Sequence, residues 1–171
     1  ESRALVELVD RSRLKEPVIM IADRGYEAYN NIAHIEQKNW NYLIRAKEKR
    51  GILSGLKLPD TPEFDVAFSY FLSKRLTNRI RREPQKYRWI PSKVRFDYIK
   101  NASDVLYPIS FRVVRFAVKE GLYETVITNL PADRFPPPLL RVLYHKRWGI
   151  ETSFRDLKHT LALTHFHAKK R

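Results

Sequence analysis

Cysteine is absent from the 171 residues of this chain, methionine occurs once and glycine five times. Without cysteine there are no disulfides and no thiolate metal sites, which fits a cytoplasmic location. So few glycines leave little room for a phosphate-cradling loop, and use of a nucleoside triphosphate is not expected. No uncharged run exceeds ten residues, which excludes a membrane-spanning helix, and no basic segment followed by an apolar one marks a secretory signal. Acids are scarce as well. Nineteen Asp and Glu stand against 33 Lys and Arg, for a net charge of +14, and that excess points to a polyanionic partner. Hydrophobic residues make up 43%, enough to bury a sizeable core as one domain, or as one domain with an insertion. The chain opens on Glu1 and stops after Lys169, Lys170 and Arg171, ends that suggest a segment of a larger protein. No internal repeat or low-complexity tract interrupts it.

Hydrophobic patterning divides the sequence into three parts, 1–47, 48–115 and 116–171. In the first part, residues 4–12 read as helix. The run PVIMIA at 17–22 is short, continuous and apolar, as for a strand buried on both faces. Asp23 falls at its carboxyl end, where open α/β sheets gather functional groups. Residues 26–38 read as a second helix with Ile32, Ile35 and Tyr29 inward, and NYLIRAK at 41–47 reads as a second strand. From 48 to 115 the period changes to two: Phe64, Val66, Phe68, Tyr70 and Leu72 alternate with Asp65, Ala67, Ser69, Phe71 and Ser73, the pattern of a half-buried strand. Segments 87–99 and 109–118 continue that theme between Gly and Pro punctuation. In the third part 123–130 reads as a returning strand, and Pro136 to Pro138 introduce a long helix, where proline suits the first turn.

The excess charge is concentrated. Between Lys74 and Lys100 stand Lys74, Arg75, Arg79, Arg81, Arg82, Lys86, Arg88, Lys93, Arg95 and Lys100, against only Glu83 and Asp97. Such a stripe is an electrostatic footprint for DNA or RNA. Tyr87, Trp89, Phe96 and Tyr98 are interleaved with it. Aromatics among cations can stack on unpaired bases, and aromatics alternating in a strand can equally be packing. Trp89 is the leading base-stacking candidate. His159, His165 and His167 read as surface or packing histidines, since no cysteine or acid stands at ligand spacing beside them.

In the third part Tyr144, Arg147, Glu151 and Lys158 are spaced Y-x2-R-x3-E-x6-K within YHKRWGIETSFRDLK. On an α-helix these offsets fall within roughly a 60° arc. Leu143, Ile150, Phe154, Leu157 and Leu161 form an apolar stripe centred about 70° to one side. The polar four therefore occupy a shoulder beside the buried face. From there a helix laid on a sheet can present charge into a cleft, although a solvated face is the ordinary reading of such a pattern.

The quartet, together with DRGY at Asp23 to Tyr26 and the string RWGIETSFRDLKHTLAL, resembles the DDE transposases of bacterial insertion sequences, specifically the insertion-sequence-four class defined by its YREK motif. The likeness runs from about Val18 to the last residue. It implies an α/β fold, an RNase H-like mixed sheet with flanking helices, interrupted by a β-rich basic insertion over 48–115. Asp23 and Glu151, 128 residues apart, would be the second and third acids of a catalytic triad holding two divalent cations, Mg2+ or Mn2+. The first acid would lie on a strand upstream of residue 1. Asp10, on a helix-like stretch, is not a substitute for it. Tyr144, Arg147 and Lys158 would grip backbone phosphates of transposon-end DNA, Arg as a planar fork and Lys as a point charge. The partners implied are transposon ends and target DNA, bound by a homodimer, with no membrane. Two other readings stay open: a DNA-binding remnant that cannot catalyse, and a non-enzymatic basic RNA-binding or ribosome-associated protein.

Overall fold

The computed structural model describes residues 2–48 and 50–147. Six strands, β1 (Ile19–Ala22), β2 (Asn41–Arg45), β3 (Phe64–Ser73), β4 (Tyr87–Trp89), β5 (Tyr107–Lys119) and β6 (Leu122–Thr128), join into one sheet in the order β1-β2-β6-β5-β3-β4. β1 and β2 run parallel, as do β3 and β4, and the remaining neighbours are antiparallel. Helices α1 (Ser2–Arg11), α2 (Tyr29–Gln37) and α3 (Asn78–Arg82) accompany the sheet, and residues 137–147 are helical and are called α4. This is the mixed α/β architecture with flanking helices that the resemblance implies.

Side-chain alternation along each strand gives the sheet two different faces. Ala22 of β1, Tyr42 and Ile44 of β2, Phe111 and Val113 of β5 and Ile127 of β6 pack with Ile32, Ala33 and Ile35 of α2 and with Val9 of α1. Their opposite-facing neighbours Ile19, Ile21, Leu43, Val114, Phe116 and Val126 pack with Leu140, Leu143 and Tyr144 of α4. Each face is thus covered by helix, which is why β1 and β2 are nearly continuous in apolar residues. No helix among the described residues is long and apolar enough to cross a membrane.

β3 follows its period-two pattern closely, with Tyr70 and Leu72 buried and Asp65, Ala67, Ser69 and Phe71 exposed. The strand expected over 87–99 is shorter, ending at Trp89. Pro91 follows and has no N–H to give a ladder, and the chain beyond it is held by side chains instead. Lys74 Nζ donates to the carbonyls of Pro91 and Val94. Asn30 Nδ2 donates to Asp97 Oδ2 at 3.0 Å, and Asp97 N donates to Asn30 Oδ1 at 2.8 Å. Phe96, Tyr98 and Tyr107 form an edge-to-face and tilted aromatic cluster with centroids 5.2 to 5.8 Å apart. The aromatics that look strand-like in sequence are therefore packed without a ladder.

His34 ties this segment to the helices. Its Nδ1 meets Asp10 Oδ1 of α1 at 2.8 Å and its Nε2 meets Asp97 Oδ2 at 3.0 Å. Asp10 accordingly lies on a helix, engaged with an imidazole. On the other face the connection into α4 is fixed by Arg112 of β5. Its guanidinium forks onto Asp65 and donates to the carbonyl of Leu130 at 2.6 Å and that of Phe135 at 3.2 Å. A buried arginine held by both a carboxylate and carbonyls fixes its partners' geometry, and here it sets where α4 begins.

Candidate active site

Asp23 directly follows β1, with extended backbone (φ −81°, ψ 169°), so the alternation of the strand carries one residue further. Ile19 and Ile21 face α4, and Asp23 shares their side. In β2 the register pairs Ile21 with Leu43 and Ala22 with Ile44, so Arg45 stands beside Asp23 on that side. In β6, Val126 pairs with Arg45 and Val114, and Glu124 pairs with Phe116, which puts Glu124 there too. Asp23 caps the short 3-10 turn Arg24–Tyr26 by accepting from Arg24 N at 2.7 Å.

α4 brings Tyr144 and Arg147 over this corner. Tyr144 is fully buried, and the Arg147 guanidinium lies 5.4 Å from the centre of its ring, an arrangement the three-residue offset on a helix favours. Burial raises the Tyr144 hydroxyl above its usual range, Arg147 opposes that shift, and the negative charges of Glu124 and Asp23 reinforce it. The phenol thus lies within electrostatic reach of both acids and of the arginine. Glu124 is 8% exposed and its Oε1 lies 3.5 Å from Arg45 Nη2.

Beside this corner, at the carboxyl ends of β1 and β2, is a cavity of about 500 Å³ whose lining includes Arg24, Arg45, Lys47 and Arg50 with Glu48 and Glu124. Four cations around one concavity suit an anion. The segment carrying Lys47 and Arg50 is pinned to the turn after Asp23 by Glu27, buried, whose carboxylate accepts from Lys47 N and Ile52 N, each at 2.6 Å. Burial pushes the Glu27 carboxyl up, and the backbone donors oppose this.

The structure therefore gathers Asp23, Tyr144 and Arg147. Glu151 and Lys158 lie outside the described residues. Trp89 is 44% exposed on β4, at the far edge of the sheet from β1. Five interstrand steps separate those edges, roughly 24 Å at the usual spacing, so Trp89 belongs to a different surface from Asp23. Arg45, Glu124 and Arg50 join the site without having been singled out in sequence. The one signal for Arg45 is a charged residue at the end of a largely apolar strand, and for Glu124 an acid within one.

The basic stripe is partly committed within the protein. Arg75 Nη1 donates to both carboxylate oxygens of Asp104, each at 2.7 Å, Arg79 pairs with Glu83, Arg95 pairs with Asp97, and Arg88 lies over the Tyr70 ring and donates to the carbonyl of Ile52. Lys74 is buried. Arg81, Arg82, Lys86, Lys93 and Lys100 are exposed.

No curated protein matches the chain. The sequence model of one family, described as the transposase DDE domain, matches residues 1–171. A match across that whole span, on a mixed sheet flanked by helices as in an RNase H-like domain, places this chain in the transposase DDE domain family.

Proposed function

We propose that this chain acts on transposon ends by divalent-metal-dependent phosphodiester hydrolysis and strand transfer, in a cut-and-paste reaction, as a transposase of the YREK class. One observation supports this most: Asp23 directly follows β1 on the same sheet face that carries Tyr144 and Arg147, the acid and two further members of that motif.

Asp23 and Glu151 are the acids assigned to two Mg2+ or Mn2+ ions. Carboxylate oxygens are the hard donors these cations prefer. Asp23 is only partly buried and commits Oδ1 to Arg24 N. No three acids gather among the described residues, so Asp23 needs Glu151 and a further acid. When bound, such cations activate an attacking hydroxyl and stabilise the leaving oxygen of an in-line displacement. Arg147 forks onto a backbone phosphate, with Tyr144 fixing its guanidinium from below, and Lys158 adds a point charge. The cavity at Arg24, Arg45, Lys47 and Arg50 takes a neighbouring stretch of backbone. Trp89 offers an exposed ring to an unpaired base on the remote basic surface. Two copies act together on paired ends.

A second reading for this chain taken alone is that of a DNA-binding remnant that does not cleave. Cleavage of labelled element-end DNA in Mg2+ or Mn2+ separates the two. Metal-dependent nicking, lost in Asp23→Asn and in Glu151→Gln while both variants still bind DNA, is the outcome expected of the transposase. Binding without nicking in either metal selects the remnant, and no DNA binding at low salt removes both in favour of a different basic protein.

A further inference from the structure

Glu124 is a carboxylate where an anion-binding surface has least use for one. It is the third residue of β6, is 8% exposed, and lines the cavity otherwise dominated by Arg24, Arg45, Lys47 and Arg50. Its Oε1 lies 3.5 Å from Arg45 Nη2. Its Oε2 is enclosed and has no hydrogen-bond partner among the described residues. An enclosed, half-satisfied carboxylate is costly, and it also lowers the positive potential of the cavity. On simple electrostatics the site would hold DNA better without it.

The geometry gives the residue another use. The Glu124 side chain is 9% exposed and that of Arg45 is 33% exposed, so the carboxylate is locked by packing while the guanidinium reaches the cavity. Arg45 ends its strand, and a long side chain there is free to swing into solvent. A guanidinium has five N–H donors. An ion pair with a buried carboxylate leaves the remaining donors available to the cavity that Arg45 lines, and ordering done before a ligand arrives favours binding.

We propose that Glu124 is a positioning residue that holds the Arg45 guanidinium at the cavity wall in the orientation that grips a DNA backbone phosphate. This rests on the reading of the site as DNA-binding. It gives an expectation opposite in sign to that of charge alone: Glu124→Gln removes a negative charge, yet weakens binding.

The test is fluorescence anisotropy of a labelled duplex titrated with the full chain over a salt series, for wild type, Glu124→Gln, Arg45→Gln and the double variant. Glu124→Gln is expected to bind about five- to tenfold more weakly, with its slope against log salt reduced by about one phosphate contact. In the Arg45→Gln background the same change is expected to bring no further loss of affinity, because the loss acts through that side chain. Equal or tighter binding by Glu124→Gln, or an undiminished loss in the Arg45→Gln background, overturns the proposal. If Glu124→Gln shows no cooperative unfolding transition, Glu124→Asp replaces it, keeping the charge but shortening its reach, with the same weakening expected. Absence of salt-dependent binding by the wild type overturns the DNA reading beneath, a failure seen before any variant is compared.

Discussion

The backbone N–H of Ile52 donates to the Glu27 carboxylate at 2.6 Å, and that contact exists because the residue before Ile52 is Gly51. Gly51 has φ +64°, and a Cβ added there would sit 2.4 Å from Glu27 Oε1. Two independent reasons thus require glycine: left-handed backbone, and the close approach of the carboxylate that pins the Lys47 to Arg50 segment.

Gly51→Ala should therefore destabilise the fold by about 2 to 4 kcal/mol, combining left-handed strain with displacement of a buried carboxylate. Gly121, with φ +70° and nothing within 4 Å of an added Cβ, isolates the backbone component, and Gly121→Ala should cost only about 1 kcal/mol. Urea denaturation of the two variants beside the wild type measures the difference. Equal losses would show that the Glu27 contact contributes nothing beyond conformation.

Much of this corner can be read from the sequence and part cannot, for one reason. The apolar run before Asp23 and the three-residue offset of Tyr144 and Arg147 are local signals, yet Tyr144, expected on a polar shoulder, is fully buried while Leu143 of the expected apolar stripe is only partly so. Arg45 and Glu124 meet only through the register of β2 on β6, 79 residues apart in the chain, and nothing local announces that pairing. The stripe from Lys74 to Lys100 shows the converse. Charge counting treats its members alike, yet Lys74 is buried on the carbonyls of Pro91 and Val94 while Arg81 and Lys93 are exposed. Likewise Phe96 and Tyr98 keep a strand's period although the chain has left the sheet, because three aromatic rings and the bonds of Asp97 hold it equally well.

Stability should fall as pH rises from about 4.5 towards 7. Burial lifts the Glu36 carboxyl from its ordinary 4.5 to about 7, against the hydrogen bond donated by Tyr42, and burial raises Glu27 as well. A folded-state pKa above the unfolded one means that the native state binds the extra proton between those limits. The contribution is fully present below 4.5 and lost as pH passes through 7. Asp97 acts in the opposite sense: Arg95 holds its carboxyl well below the usual range, so its contribution is present above the ordinary 3.8 and lost on further acidification. Arg95, its main partner, is exposed to solvent, and the effect is correspondingly small. Thermal unfolding midpoints across this range should decline from pH 4.5 to 7 in the wild type and decline less in Glu36→Gln, which keeps an acceptor for the Tyr42 hydroxyl. Parallel curves for the two proteins would show that Glu36 is not the source.

The division of the basic stripe makes a sharper forecast than its total charge. Each phosphate neutralised by a cation contributes about 0.9 to the slope of log affinity against log salt on duplex DNA. Arg81, Arg82, Lys93 and Lys100 are exposed, so replacing all four with Gln should flatten that slope by up to about 3 to 4 and leave unfolding nearly unchanged. Arg75 and Arg95 already face Asp104 and Asp97. A cation that must leave a carboxylate to reach a phosphate gains little, and replacing this pair with Gln should alter the slope by less than about one. The two variants remove different numbers of charges, so the comparison is made per charge. An equal loss of slope per charge from both sets would mean that the internal pairs open on DNA and that the whole stripe acts as one undifferentiated surface.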